Sequence, residues 1–241
     1  AGFAFLALRE ATRCGAEAIM ASAVSAIAAN NTDFYRTLEK VFVLVEFWSR
    51  RTWNGGWDTY EFDKTFPPLL MAYYEASSLY LALESGDFYL LSREGGQWTS
   101  WTVRPLAWGD RVLVRRWSDG DPLPEEHWEN RAFDVTALDW YTGALALLAQ
   151  QGPDAPLARR VFAADPRLSP ATGQPGRALS FATKTQLGDA MVFGFERSLT
   201  VLSDSMRGLR LLDDGMVAGL FGNPLSEASL LLTGVPARDG A

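Results

Sequence analysis

The chain has 241 residues, a net charge of -7, 48% hydrophobic and 12% aromatic residues, and one cysteine. That length and apolar content support a sizeable core and exclude a disordered chain. An acidic balance without a basic stripe argues against nucleic acid as a partner, and the lone Cys14 rules out an internal disulfide or a thiolate metal cluster.

The first stretch, about Phe5 to Ala29, is alanine-rich and free of proline, and predicts a long helix. It follows an apolar start, Ala1 to Leu8, which is either the tail of a longer apolar segment or an ordinary buried first turn. Asn30-Asn31-Thr32 breaks the run, and Thr32 or Asp33 can cap a second helix. Val41, Leu44, Val45 and Trp48 give that helix an apolar stripe. Trp53 to Asp58 (WNGGWD) predicts a loop, and Pro67-Pro68 the start of a short helix through Tyr74. Strands follow at Leu79 to Leu83 and Phe88 to Leu91 around the turn Ser85-Gly86-Asp87, then at Trp98 to Val103 and Val112 to Trp117. Ala137 to Gln150 is a helix that Gln151-Gly152-Pro153 ends. Strands at Ala178 to Ala182 and Ala190 to Phe195 lead to a helix from Leu199 to Leu209. A last piece opens at Asp213-Asp214-Gly215, with a strand near Met216 to Phe221 and an apolar run at Leu230 to Leu232. No apolar run of about 20 residues marks a membrane span.

A helical N-terminal third therefore precedes an antiparallel sheet of about five to six strands with an inserted helix. The fold class is α+β, and the lack of βαβ alternation argues against a parallel sheet.

Catalytic signals are missing. The only histidine, His127, sits in the polar stretch DPLPEEHWEN, and no G-x-S-x-G elbow exists. Paired acids (Asp213-Asp214, Glu125-Glu126) lack His or Cys partners. No catalytic residue, cofactor or transition-metal site is expected, although a weak Ca²⁺ or Na⁺ site stays open. Nine tryptophans and many acids also fit a carbohydrate-binding or glycan-processing module. Tryptophans on one exposed face would support that alternative; buried ones would not. Trp98, Trp101, Trp108 and Trp117 favour the core over a ligand wall, and Arg104 and Arg115 favour the surface. Trp140-Tyr141 is either a pocket lid or core packing, and Glu196 either a ligand contact or an acid favoured by the next helix's dipole.

From Asp134 to Ser203 the order is DVTALDWYTGALALL, then VFAADPRLSPATGQPGRALSFATK, then AMVFGFERSLTVLS. This order resembles the ligand-binding core of the double Cache family, PAS-like extracytoplasmic sensors of bacterial receptors. The resemblance implies a long N-terminal signalling helix (1–32), a membrane-distal PAS-like domain (33–209) and the start of a membrane-proximal module (210–241). It implies a non-enzymatic periplasmic part of a membrane-anchored receptor, able to form a homodimer, with a cyclase, kinase or chemotaxis output elsewhere. A small-molecule pocket on one face of the sheet would be lined by Trp140, Tyr141, Tyr89, Trp101, Arg167 and Glu196. The amino-acid-binding branch has an Arg two residues before the Trp, a Tyr after the Asp-Pro step and an Asp at the strand end. Here those positions hold Leu138, Arg167 and Glu196. Without the Arg clamp, the resemblance implies that an amine or other polar ligand binds better than a free carboxylate. Arg167 and Glu196 are expected to pair when no ligand is present. A third alternative is an interaction module whose pocket is filled by its own side chains.

Overall fold

The structure, a computed structural model, describes residues 38–199 except 52, 74–75, 120–123 and 171–172, together with residue 36 and the segments 217–219 and 233–235. The helices expected at Phe5 to Ala29 and beyond Leu199, the capping at Thr32 or Asp33, and the run at Leu230 to Leu232 lie outside the described residues. Leu38–Val201 forms one compact unit. Beyond it, strands β10 (Val217–Gly219) and β11 (Thr233–Val235) pair antiparallel.

Helix α1 covers residues 38–51 and buries Leu38, Val41, Phe42 and Val45, spaced to share one helical face. Leu44, counted into the apolar stripe from sequence, faces outward at 61% exposure. Helix α2 (Thr59–Met71) starts where the Asp58 carboxylate accepts from the backbone N–H groups of Tyr60 and Glu61, at 3.0 and 3.2 Å. The prolines read as a helix start, Pro67 and Pro68, lie inside this helix instead. Phe62, Phe66 and Leu70, one turn apart, bury against the sheet and offset the backbone bonds that proline cannot make.

The sheet has nine strands, more than the five to six expected: β1 (Ala76–Leu83), β2 (Phe88–Glu94), β3 (Gln97–Val103), β4 (Arg111–Ser118), β5 (Glu125–Asn130), β6 (Val161–Ala163), β7 (Arg167–Leu168), β8 (Pro175–Lys184) and β9 (Ala190–Ser198). Their order is β5-β4-β3-β2-β1-β9-β8-β6, with β7 on β8, and every described pairing is antiparallel. The three additional strands are β5, β6 and β7. The stretch with His127 is thus an edge strand and not a loop: the β4 backbone supplies its partners, with Val114 opposite His127.

Strand parity divides the side chains between two layers. Leu79, Leu81, Tyr89, Leu91, Phe181, Phe193 and Phe195 take the side of α1 and α2, where Phe42 meets Phe181 at 4.5 Å between ring centroids. Tyr80, Ala82, Phe88, Leu90, Trp101, Val114, Ala178 and Val192 take the other side and form one core with Trp140, Tyr141, Ala144 and Leu148 of α4 (Asp139–Gln151). A short helix, α3 (Pro105–Trp108), joins β3 to β4.

Candidate functional site

Helix α4 is held against the sheet by three contacts. The Ser180 hydroxyl donates to the Trp140 carbonyl at 2.7 Å. The Tyr141 hydroxyl donates to the Leu83 carbonyl at 3.3 Å. Gly143 lies against the Phe162 ring so closely that an added Cβ would come within 2.4 Å of it. Upstream, the Asp134 carboxylate accepts from Thr136 N–H and organises the turn. These contacts fix the start of α4, and with it Trp140, over strands β1, β8 and β9.

Beneath Trp140 lies a buried polar group. The Trp140 indole stacks on the Tyr80 ring, with centroids 5.1 Å apart and planes 21° apart. The Tyr80 hydroxyl donates to Glu196 in a short contact, and the Ser169 hydroxyl also bonds that carboxylate. Trp140 and Tyr80 are 0% exposed and Glu196 1%. Glu196 lies across Gly176 on the neighbouring strand, where an added Cβ would come within 2.7 Å of the Glu196 Cγ. The chain therefore needs a glycine at 176 to keep this acid flat against the sheet. Burial raises the Glu196 carboxyl above its ordinary range, against the bonds from Ser169 and Tyr80 and the positive charge of Arg167. Burial likewise raises the Tyr80 phenol well above its usual value, and the neighbouring acid adds to this.

Arg167, on β7, approaches from the side. Its Nη1 donates to Asp139 at 3.3 Å, at the first residue of α4. Its Nε and Nη2 are buried and have no partner among the described residues; the same holds for Trp140 Nε1 and for Ser78 Oγ, which sits opposite Glu196 in the β1–β9 register. The pairing expected between Arg167 and Glu196 is not formed. Arg167 takes the carboxylate nearest to it on α4, and Glu196 is satisfied by hydroxyls.

Of the six residues named from sequence, Trp140, Tyr141 and Trp101 belong to the core on the α4 side, and Glu196 and Arg167 to the polar group beside it. Tyr89 does not join them. In β2 it alternates with Phe88 and Leu90 and so lies on the opposite face, packed on Phe62 and Phe66 with its hydroxyl donating to Asp63 at 2.7 Å. Sequence inspection missed Tyr80, Ser78 and Ser169. The first two share a parity in β1, which marks one face once that strand is placed.

The opposite face carries its own charged cluster. Arg115, only 4% exposed, donates to Asp63 at 2.9 Å, Glu126 at 2.7 Å and Thr59 at 2.7 Å, so it is a buried clamp and not the surface residue expected. Burial raises Asp63 above its ordinary range despite bonds from Tyr89, Ser100 and Arg115. These groups pin α2 to β2, β4 and β5. None of their buried side-chain polar atoms is left without a partner, so the cluster has the character of a structural joint.

No protein-family profile matches the chain, and no curated protein matches it either. Solved structures do. A structure described as methyl-accepting chemotaxis protein X is 16% identical, with a TM-score of 0.50, covering 81% of this chain and 65% of its own. The ligand-binding domain of the Pseudomonas aeruginosa PAO1 amino acid chemoreceptor PctC, in complex with GABA, is 18% identical, with a TM-score of 0.44 and 79% and 65% covered. The ligand-binding domain of the Campylobacter jejuni chemoreceptor Tlp3, in complex with 4-methylisoleucine, is 19% identical, with a TM-score of 0.42 and 78% and 56% covered. The chain thus spans a little over half the length of that domain. Its α+β sheet, with helices on both faces, is the PAS-like fold of Cache-type sensor domains.

Proposed function

We propose that the chain is the extracytoplasmic small-molecule sensor part of a transmembrane signalling protein, without catalytic activity of its own. Its ligand site lies where α4 meets β1, β8 and β9. The observation that carries this reading is the set of buried donors without partners beside Glu196: Arg167 Nε and Nη2, Trp140 Nε1 and Ser78 Oγ. Native chains seldom leave buried donors unmet, and four in one neighbourhood support a missing acceptor from outside the chain. The shared fold supports the same class. Ligand binding would bias the position of α4, and the response requires a ligand that favours one arrangement over the other. Periplasmic placement, membrane anchoring and pairing into a homodimer belong to this proposal.

A second reading has one specific observation in its favour. Tyr80 already bonds Glu196 and stacks on Trp140, so the space could be permanently filled by the chain itself. The carbohydrate reading loses its motive, because Trp53, Trp98, Trp101 and Trp140 are buried and Trp128 is the one tryptophan among the exposed large hydrophobics of the described residues.

Calorimetry of the whole chain against a library of small metabolites separates the two. Saturable binding that quenches tryptophan fluorescence and is weakened about tenfold by Trp140→Phe is the expected result. A library without a single binder would leave the self-filled module as the function.

A further inference from the structure

We propose that the site takes a small carboxylic acid that lacks an α-ammonium group, gripped side-on by the Nε/Nη2 edge of Arg167. This rests on the sensor reading above and names the ligand class of that same site. The sequence had pointed the other way, to an amine held by Glu196, because Leu138 occupies the position of the family's arginine. The hydrogen-bond inventory reverses that expectation.

Both carboxylates in the site already accept hydrogen bonds. Glu196 accepts from the Tyr80 hydroxyl and from Ser169, and Asp139 Oδ1 accepts from Arg167 Nη1 and from the Trp140 backbone N–H at 2.8 Å. An ammonium group would meet no buried carboxylate oxygen left without a partner in this site among the described residues. The donors, by contrast, are open. Arg167 spends only Nη1, and the pair left unmet, Nε and Nη2, is the guanidinium edge that matches both oxygens of a carboxylate. Trp140 Nε1 and Ser78 Oγ are unmet in the same neighbourhood: Asp139 joins Arg167 to the Trp140 backbone, and Ser78 pairs with Glu196 on the adjacent strand. The charge balance agrees. Asp139 offsets part of the guanidinium charge, and burial holds Glu196 toward its neutral form, so an incoming anion meets less repulsion than two free carboxylates would offer. Beside Glu196 the stacked Trp140 and Tyr80 rings present apolar carbon, which suits a short hydrocarbon tail.

The test is isothermal titration of the full chain with straight-chain acids from acetate to octanoate, each matched by its amide, its amine and its 2-amino acid. At least one acid is expected to bind, about tenfold or more tighter than its matched amine and 2-amino acid. Arg167→Gln and Arg167→Lys are both expected to remove that preference, because lysine keeps the charge but lacks the edge. Glu196→Gln is expected to keep it. Thermal melts of each variant establish that the fold survives. If an amine or 2-amino acid binds tighter and Glu196→Gln abolishes it, the ligand class is wrong while the site stands. If no acid binds, the carboxylate proposal is overturned. If a ligand binds with the same affinity to Arg167→Gln, Trp140→Phe and Glu196→Gln, it sits elsewhere, and the site itself falls.

Discussion

Glu196 is the residue on which the site's electrostatics turn. Burial raises its carboxyl above the ordinary range, so the folded chain holds that proton more tightly than the unfolded chain does. The stability this group contributes is fully present below its unfolded pKa, about 4.3, and is lost as pH rises through the raised folded value. A glutamine at 196 has no proton to lose. Glu196→Gln should therefore gain on the parent as pH rises from 4 to 8, with a slope of at most about 1.4 kcal/mol per pH unit. Urea denaturation of both proteins across that range measures it, and Asp63, also raised by burial, cancels in the difference. A difference that stays flat would mean that Glu196 ionises at no cost in the folded chain. The family resemblance led to Glu196, Arg167 and Trp140. Sequence inspection gave Tyr89 the wrong face, because a shift of one residue along a strand moves a side chain through the sheet. Tyr80 went unnoticed among apolar neighbours, where an aromatic reads as core.

At the scale of elements, α2 is joined to the sheet by a charged clamp over an aromatic contact. Arg115 ties Asp63 of α2 to Glu126 of β5, and its guanidinium lies 3.9 Å from the Tyr60 ring centroid. Removing only the arginine would leave Asp63 buried beside the Tyr89 hydroxyl without its cation. Arg115→Met is expected to destabilise the fold by about 3–5 kcal/mol, and Asp63→Leu added to it to restore a large part of that loss. Chemical denaturation of the single and double variants tests this. Two independent, additive losses would show that the pair is not coupled. The strand β5 that completes this clamp was invisible in the sequence. Its residues, Glu-Glu-His-Trp-Glu-Asn, show no apolar alternation, since an edge strand has fewer neighbours to bury against. Strands β6 and β7, three and two residues long, exist only because β8 offers them a partner.

Across the Leu38–Val201 unit, stability should fall from the centre of the sheet to its edges. Strand β9 is buried along its whole length and β1 along nearly all of it, while β5 is mostly open. Hydrogen exchange should find the amides of Leu79–Ala82 and Val192–Phe195 opening last, with global unfolding, and those of β5 opening earlier by local fraying. Equal protection of β5 and β1 would mean that something further covers the β5 edge. Ligand binding under α4 should add to the protection of β8 and β9 by mass action, since α4 packs on both strands.

Alternation, turn residues and helix stops were enough to determine the α+β class, the antiparallel sense, the hairpin at Gly86 and the helix that ends at Gly152. These features depend on contacts close in sequence, or on backbone needs that only certain residues meet. Which face each strand residue takes, which hydroxyls satisfy Glu196 and which edge of Arg167 stays open depended on strands and a helix far apart in the chain. Ser78, Tyr80, Trp140, Arg167, Ser169 and Glu196 become neighbours only when β1, β7, β9 and α4 pack together. A sequence records which donors and acceptors a chain has; packing decides which of them are already paired.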